Sequence, residues 1–527
     1  MRKYKARIAD KILEKRLLGK GAVLIEGAKW CGKTTTAEQI AGSILYMADP
    51  EKEQQNLTMA EISPGRLLKG KVPRLIDEWQ IAPKLWDAVR FEVDHRDEMG
   101  QFILTGSAVP ASHEHIHHTG TGRFSWILMR PMSLYESLDS TGEVSLKALF
   151  ETPEQIEGEN SLDLNQLAFL VCRGGWPRAT DLKGEVALEQ AFDYYDAVVK
   201  SDISRADGIT RNPERVKRLM RSYARNQGSQ ATNTLLKGDI MANDAESLDT
   251  DTVYSYINAL QKIFVIEEME AWNPNLRSKT AIRTSNTRYF VDPSIAVAAL
   301  GLGPQDLIGD LNTFGLFFET MCIRDLRVFA DALNGKVYHF RDKTGLECDA
   351  VVHLRNGSYG LIEVKLGGDK LIEEGAENLK TLKNKIDITK MKAPSFLMVL
   401  IGVGDYALQD FLPVPALEII RKWSLLYLFL SCRPQRLRCR ADTGSRCACL
   451  NASGIITAHL VLYGLQRPFA ENPKAVYVCI NKGEAYAPKE IADRSICIDG
   501  DIGEALKKMN APSSLLSRHM APFRAMS

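Results

Sequence analysis

The chain contains little cysteine, almost no excess charge and no long apolar run. Ten cysteines in 527 residues are too few for a disulfide scaffold, so a reducing, cytoplasmic setting fits best. Lys and Arg number 67 against 66 Asp and Glu, which excludes DNA binding by bulk positive charge but leaves a local basic groove open. The longest apolar run, WSLLYLFL at 423–430, is far shorter than the ~20 residues of a membrane helix, and the N-terminus has no signal-peptide core. We therefore expect no membrane partner and no secretion.

The length predicts about three domains, and the first has an α/β pattern. Short apolar runs alternate with helical patterns after a basic helix over residues 1–20. Such alternation predicts a parallel sheet covered by helices, within a domain over residues 1–140. The strand-like runs are GAVLIEG, SILYMAD, PRLIDEW and GQFILTGS.

The remaining chain divides into three further parts. Residues 160–300 are predicted to be a helical connector, in which ATNTLLKGDIM and the following TDTVYSYINALQKIFVIEEMEAW resemble a winged helix-turn-helix. Residues 313–406 begin with a helix and continue with the strand-like runs VYHFRD, ECDAVVHL and YGLIEVKLG. Residues 407–527 form an unassigned tail, although AVYVCINK and RSICIDGD within it look like strands.

A glycine loop follows the first predicted strand and fits GxxxxGK[ST] at every fixed position. This strand–loop–helix context is typical of a phosphate-binding loop, in which backbone N–H groups and a helix N-terminus surround phosphate oxygens. Lys33 is expected to bridge the β- and γ-phosphates of a nucleotide, and Thr34 to ligate Mg²⁺. The predicted binding residues are Gly27, Ala28, Lys29, Trp30, Cys31, Gly32, Lys33, Thr34 and Thr35.

Acidic and hydroxyl residues end the next predicted strands. Asp77 and Glu78 follow an apolar run, as a Walker B motif requires, so Asp77 is expected to hold Mg²⁺ and Glu78 to deprotonate the attacking water. Thr105 or Ser107 could sense the γ-phosphate. Arg123, beyond the last predicted strand of the sheet, is either a finger that reaches a neighbouring subunit's nucleotide or an ordinary surface arginine.

These motifs resemble the prokaryotic AAA-type ATPases that carry a C-terminal DUF4143 domain. The resemblance begins with YKARIADKILEKRLLGKGAVLIEGAKWCGKTTTA and RLIDEWQIAPKLWDAVRFEVD, and continues through GGWPRAT and GLFFETMCIRDL to about Gly404. It implies an ATP-binding core, a helical or winged-helix connector and a nuclease-like α/β module. Lys33, Thr34, Asp77 and Glu78 match the family's nucleotide motifs, Thr105 or Ser107 its sensor strand, and Arg123 its Gly-Arg.

The third block carries a second group of charged residues. Asp349 on one predicted strand and Glu363-x-Lys365 on the next resemble the PD-(D/E)xK nuclease core, and Glu319 on the preceding helix is a further carboxylate. That chemistry needs carboxylates converging on Mg²⁺ and a lysine that activates water. Strand alternation places Glu363 and Lys365 on one face. A solvated Glu–Lys pair without catalysis is the alternative.

Three weaker signals complete the sequence. The helix RNPERVKRLMRSYAR is a candidate for phosphate contact. Asp249 and Asp251 argue against nucleic-acid contact by the helix LDTDTVYSYINAL, because they lie at its start. Four histidines in ASHEHIHHTG could bind metal, but a flexible loop is the simpler reading. The tail cysteines lack the paired spacing of a zinc ribbon. They are Cys432, Cys439, Cys447 and Cys449.

The sequence thus predicts a Mg²⁺-dependent ATPase whose nucleotide cycle acts on a nuclease-like module. Two alternatives stay open. One is a metal-dependent DNA nuclease that ATP regulates, and the other is a nucleotide switch that binds a protein partner without catalysis. A homo-oligomer would be needed if Arg123 acts in trans. The sequence does not distinguish DNA from a protein as the target.

Overall fold

The computed structural model describes most of the first four hundred residues and two short segments of the tail. The chain divides into two compact units, Met1–Arg433 and Pro434–Ser527, which are described separately. No helix in the described residues has the length and apolarity that a membrane crossing requires. The described residues are 3–108, 120–153, 156, 158–159, 162–241, 249–274, 285–402, 406–407, 477–481 and 495–499.

The first unit opens with a five-stranded sheet in which every strand pair is parallel, which confirms the predicted α/β pattern. The four predicted strands are present, and a fifth follows Arg123, so the expectation that Arg123 lies beyond the last strand is wrong. The strands are β1 (Ala22–Glu26), β2 (Ser43–Tyr46), β3 (Arg74–Asp77), β4 (Phe102–Gly106) and β5 (Phe124–Leu128). Their spatial order is β2-β3-β4-β1-β5.

Helices cover both faces of this sheet. Ala22 and Leu24 of β1 pack into one apolar cluster, and Val23 and Ile25 pack into another on the opposite face. A strand buried on both faces reads as a continuous apolar run, which is why β1 was easy to predict. The helices are α1 (Ile8–Leu17), α2 (Lys33–Glu38), α3 (Glu53–Ile62), α4 (Pro64–Leu67) and α5 (Lys84–Arg96), with a 3₁₀ turn at Trp79–Ile81.

The middle of the unit is mainly helical, as the pattern predicts. Antiparallel bridges join Ile266 to Phe290 and Met269 to Thr287, after the segment for which the sequence predicts a winged helix-turn-helix. A π-helical turn, Val198–Asp202, continues α8 directly. The elements are α6 (Leu146–Glu151), β6 (Gly158–Glu159), α7 (Leu164–Arg173), a 3₁₀ turn (Ala179–Asp181), α8 (Gly184–Ala197), α9 (Ile203–Arg205), α10 (Pro213–Arg225), α11 (Asn233–Met241), α12 (Thr250–Lys262), α13 (Pro293–Leu300) and α14 (Pro304–Gly309).

A long helix leads into a second, mixed sheet, whose spatial order is β10 (Phe396–Ile401), β9 (Tyr359–Lys365), β8 (Glu347–Leu354) and β7 (Gly335–Arg341). β8 is antiparallel to both of its neighbours, and β9 and β10 are parallel, so a helix connects them. A short pair, β6 with β11, is antiparallel. The elements are α15 (Leu311–Ala332), β7 (Gly335–Arg341), β8 (Glu347–Leu354), β9 (Tyr359–Lys365), α16 (Asp369–Lys385), β10 (Phe396–Ile401) and β11 (Tyr406–Ala407).

In the second unit the structure describes two strands, β12 (Tyr477–Asn481) and β13 (Ser495–Asp499), which pair in parallel. They coincide with the predicted runs AVYVCINK and RSICIDGD. The apolar run at 423–430, the four tail cysteines and the histidines of ASHEHIHHTG lie outside the described residues.

Candidate functional site

The phosphate-loop sequence forms the connection between β1 and α2. Three residues in it have a positive φ: 148° at Gly27, 65° at Trp30 and 101° at Gly32. A Cβ at Gly27 would lie 2.0 Å from the carbonyl oxygen of Met129, so glycine is required there. Trp30 keeps a left-handed backbone while its side chain stays 56% exposed. Such a strained, exposed aromatic residue in this loop is a functional signal that the motif alone did not give.

Lys33, the first residue of α2, is folded into the loop. It is 5% exposed, and its Nζ donates to the carbonyl oxygens of Gly27 at 2.9 Å and Ala28 at 2.8 Å. Of the other loop residues, Cys31 is buried and Thr35 is exposed on the surface of α2. The lysine charge therefore lies at the centre of the loop.

Two hydroxyl groups converge on the carboxylate of Asp77. Thr34 Oγ1 donates to Asp77 Oδ1 at 2.6 Å, and Thr105 Oγ1 donates to the same oxygen at 2.6 Å. The parallel register places the ends of β3 and β4 side by side next to the loop. The structure thus brings together the predicted Walker A, Walker B and sensor-strand residues at one edge of the sheet.

Glu78 follows Asp77 and points to a different set of partners. It has a φ of 55°, a left-handed conformation that is uncommon outside glycine. Its Oε2 accepts a hydrogen bond from Ser107 Oγ at 2.9 Å and another from the Gln80 side chain. Ser107 and Gln80 therefore hold this carboxylate in place, and Gln80 was not singled out from the sequence.

Arg123 lies away from this edge. It directly precedes β5, where Phe124 pairs with Ala22 at the start of β1, whereas the phosphate loop follows the other end of β1. Its guanidinium forms an ion pair with Asp94 at 2.7 Å. The structure does not bring Arg123 to this chain's own loop, so a role in a neighbouring subunit stays a prediction.

The phosphate loop also contacts the helical connector. Lys29 Nζ lies 2.6 Å from Asp202 Oδ1 at the end of the π-helical turn. The rings of Trp30 and Tyr194 have centroids 6.0 Å apart. Asp202 is 173 residues beyond Lys29, so local sequence reasoning had no means of finding this pair.

The four residues that were predicted to form a nuclease-like site lie together at the mixed sheet. Lys365 Nζ is 2.6 Å from Glu363 Oε2 and 3.5 Å from Asp349 Oδ2, and Val364 N donates to the same Asp349 oxygen at 2.7 Å. Glu363 is 1% exposed, and its Oε1 has no hydrogen-bond partner. Glu319 on α15 accepts a hydrogen bond from Tyr289 Oη at 2.6 Å.

The electrostatics of this cluster favour protonated carboxyls. Burial and the charge of Asp349 raise the pKa of Glu319 to about 8 and hold that of Glu363 well above its usual range. Burial lowers the pKa of Lys365, but the charges of Asp349 and Glu363 outweigh it and raise that pKa. Among the described residues, no three or more His, Cys, Asp or Glu side chains are arranged to hold a metal ion.

The basic helix α10 exposes part of its charge. Lys217, Arg221 and Arg225 are exposed at a spacing of four residues, which places them on one face. Arg211, by contrast, is buried in an ion pair with Asp207 at 2.7 Å. A groove of about 690 Å³ lies along α12 and is lined by Asp207, Asp251, Tyr254, Ser255, Asn258, Gln261 and Lys262. The carboxylates of Asp207 and Asp251 disfavour phosphate binding in this groove.

Three family models match the chain in succession. An AAA domain matches residues 19–138, and a domain of unknown function, DUF4143, matches residues 314–417. The chain thus contains an AAA domain followed by a DUF4143 domain. Another domain of unknown function, DUF8612, matches residues 164–306 in between. The curated proteins gave no match.

Solved structures of ATPases show a distant likeness. The Walker-type ATPase PABY2304 of Pyrococcus abyssi is 15% identical, with 55% of this chain and 94% of that chain covered and a TM-score of 0.35. The ORC2 protein of Aeropyrum pernix is 12% identical, with 57% and 92% covered and a TM-score of 0.26. A STAND protein with a tetratricopeptide repeat sensor, PH0952 of Pyrococcus horikoshii, is 13% identical, with 63% and 48% covered and a TM-score of 0.22.

Proposed function

We propose that the chain binds and hydrolyses ATP at Gly27–Thr34 in a Mg²⁺-dependent reaction. The observation that carries the proposal is the convergence of Thr34, Thr105 and Asp77 beside the loop that holds Lys33. A hydroxyl and a carboxylate oxygen suit Mg²⁺, which prefers oxygen ligands and keeps several waters. Thr34 and Asp77 would hold the ion, which neutralises phosphate charge when bound.

Each side chain has a defined task in this reaction. The loop N–H groups and Lys33 would bind the phosphates, and Glu78 would accept the proton of the attacking water. Ser107 and Gln80 orient the Glu78 carboxylate by donating to one of its oxygens, which leaves the other for water. A positioned general base accelerates such steps by about 10²–10⁴-fold.

Nucleotide turnover would then act on the C-terminal module. Lys29 joins the phosphate loop to Asp202 of the connector. Arg130, just after β5, contacts both Glu267 and Asp331 at 2.7 Å, and Asp331 belongs to the helix α15 that carries Glu319. These ion pairs give the ATPase domain contacts with both following parts of the chain, which supports coupling between them.

The decisive experiment is the ATPase rate in Mg²⁺ buffer, with and without single- and double-stranded DNA. Glu78→Gln should lower the rate at least about 100-fold while ATP still binds, and Lys33→Ala should abolish binding. Glu14→Gln, at an exposed position on α1, is the matched control. Negligible turnover by wild type that Glu78→Gln leaves unchanged would favour the non-enzymatic switch.

The response to DNA separates the targets. A Glu78-dependent rate that DNA raises would assign a DNA target, and the exposed stripe Lys217, Arg221 and Arg225 is then the first surface to neutralise. A real rate that DNA does not change would direct the search to a protein partner. A homo-oligomer with Arg123 in trans predicts that Arg123→Ala lowers turnover without weakening ATP binding.

A second candidate function is metal-dependent cleavage of DNA at the mixed sheet. The specific observation is the buried Glu363 oxygen without a partner, next to Lys365 and Asp349. Asp349→Ala and Lys365→Ala should each abolish cleavage of DNA in Mg²⁺, whereas Lys370→Ala on the exposed start of α16 should not. Absence of cleavage by wild type on single- and double-stranded DNA would reject this function and leave the cluster a structural one.

A further inference from the structure

Arg7 is buried beneath the phosphate loop and contacts two parts of the ATPase domain. The residue is 5% exposed and immediately precedes α1. Its Nη1 donates to the carbonyl oxygen of Cys31 at 2.7 Å, and its Nη2 donates to the carbonyl oxygen of Arg130 at 2.8 Å. One guanidinium therefore bridges the loop and the segment that follows β5.

Glu136 supplies the opposite charge. Its Oε1 lies 3.1 Å from Arg7 Nε and accepts from Ile8 N at 2.8 Å, while Oε2 accepts from Ser133 N at 2.8 Å. The side chains of Arg7 and Glu136 are 3% and 1% exposed. A buried pair of this kind contributes little net stability, because desolvation offsets the attraction. Its value lies in the geometry that it fixes.

The geometry in question is the orientation of the peptide plane between Cys31 and Gly32. In a trans peptide the C=O and the next N–H point in opposite directions. By holding the Cys31 carbonyl, Arg7 turns the N–H of Gly32 away from itself, to the other side of the loop. The contact is close, since a Cβ at Gly32 would lie 3.2 Å from Arg7 Nη1. A flip of this plane would present a carbonyl oxygen where a phosphate needs a donor.

We propose that Arg7, held by Glu136, is a positioning residue that presets the phosphate loop for nucleotide. The inference rests on the proposed ATP site and adds the group that orients it. Arginine suits this task because its planar fork reaches two carbonyl oxygens and a carboxylate at once, whereas the single ammonium of lysine cannot reproduce the fork.

The test measures the affinity for a fluorescent ATP analogue and the thermal midpoint of each variant. Arg7→Lys keeps the charge but removes the fork, and should weaken binding at least about tenfold. The loop contacts phosphate in the ground state and the transition state alike, so KM should rise far more than kcat falls. Arg7→Met combined with Glu136→Gln removes both buried charges together, keeps a carbonyl oxygen for the backbone N–H groups, and should weaken binding similarly.

Arg173→Lys is the matched control, because Arg173 is also buried but donates to Asp139 and to the carbonyl oxygen of Gly174, neither of which belongs to the loop. It should lower the thermal midpoint and leave ATP affinity unchanged. Unchanged affinity in a folded Arg7 variant, or equal weakening in Arg173→Lys, would overturn the inference while the ATP site stands. Failure of wild type to bind ATP would instead overturn the proposed function, and this inference with it.

Discussion

Gly175 and Gly238 differ in the space that a side chain would have. A Cβ at Gly175 would lie 2.0 Å from the carbonyl oxygen of Met132, whose N–H bonds to Gly175 O at 2.6 Å. A Cβ at Gly238, inside α11, would meet no atom within 4 Å. Gly175→Ala should lower the free energy of unfolding by about 1–3 kcal/mol through overpacking. Gly238→Ala should raise it by about 0.5–1 kcal/mol. Urea unfolding measures both, and equal stabilities would contradict these surroundings.

The residues of the proposed ATP site differ in how far sequence could identify them. The loop, Asp77 and Glu78 follow from local motifs, because each is adjacent to an apolar run that fixes its place in the sheet. The partners of these residues do not. Lys29 meets Asp202 only because the connector folds back onto the loop. Arg7 and Glu136 are 129 residues apart, and no spacing rule joins them.

Among the elements, four strands of the first sheet were predicted, including the partly exposed edge strand β2, and the other edge strand, β5, was not. β5 mixes buried and partly exposed residues, with Trp126 42% exposed, so it lacks the continuous apolar run of β1. Because β5 was not predicted, Arg123 was expected beyond the sheet, whereas it directly precedes this edge strand. For the basic segment around α10, charge alone predicted a basic face, but Arg211, just before the helix, is buried in a local ion pair with Asp207.

The strand β7 carries a buried histidine that should make stability depend on pH. Burial lowers the pKa of His339 to about 4, and its Nε2 lies 3.1 Å from Ser285 O. The unfolded chain binds the proton with a pKa near 6.5, so this contribution to stability is complete above pH ~6.5 and is lost as the pH falls to about 4. The loss should reach up to roughly 3 kcal/mol.

Comparing His339→Gln with wild type isolates the contribution of His339 to the pH dependence of stability. The variant should show a smaller decrease in the free energy of unfolding between pH 7 and pH 4, measured by urea unfolding at each pH. The exposed His95 gives the control, since His95→Gln should follow wild type. Parallel pH profiles for His339→Gln and wild type would mean that the ring does not remain neutral in the folded state.

For the whole molecule, local pattern predicted the sequence of modules better than their attachment. A parallel sheet, a helical middle and a helix followed by strands can each be read from periodicity. How they join depends on buried charges with distant partners, such as Arg324 with Asp292 at 2.7 Å. The domain boundaries at 140, 160, 300 and 313 therefore stay predictions, as does the role of residues 407–527.

The contact of the ATPase domain with the connector and with α15 centres on Arg130. Substituting this residue tests whether the first unit unfolds as one body. Arg130 is 8% exposed and contacts Glu267 in the connector and Asp331 in α15. Burial alone would raise the pKa of Glu267, but the charges of Arg130 and Arg327 lower it to about 2. Removing Arg130 leaves this partly buried carboxylate with Arg327 as its nearby cation, which should cost less than the ~3–5 kcal/mol of a broken, fully buried pair.

Arg130→Met should therefore loosen the ATPase domain from the rest before either part unfolds. We expect urea unfolding of the variant to separate into two transitions when Trp fluorescence and far-UV circular dichroism are compared, where wild type shows coincident curves. Arg341→Met is the control, because the Arg341–Glu347 pair is 47% exposed on both sides and such surface pairs contribute little. Coincident curves and a wild-type midpoint for Arg130→Met would mean that apolar contacts are sufficient to hold the modules together. In that case the ion pairs of Arg130 could not be the route by which nucleotide acts on the C-terminal sheet.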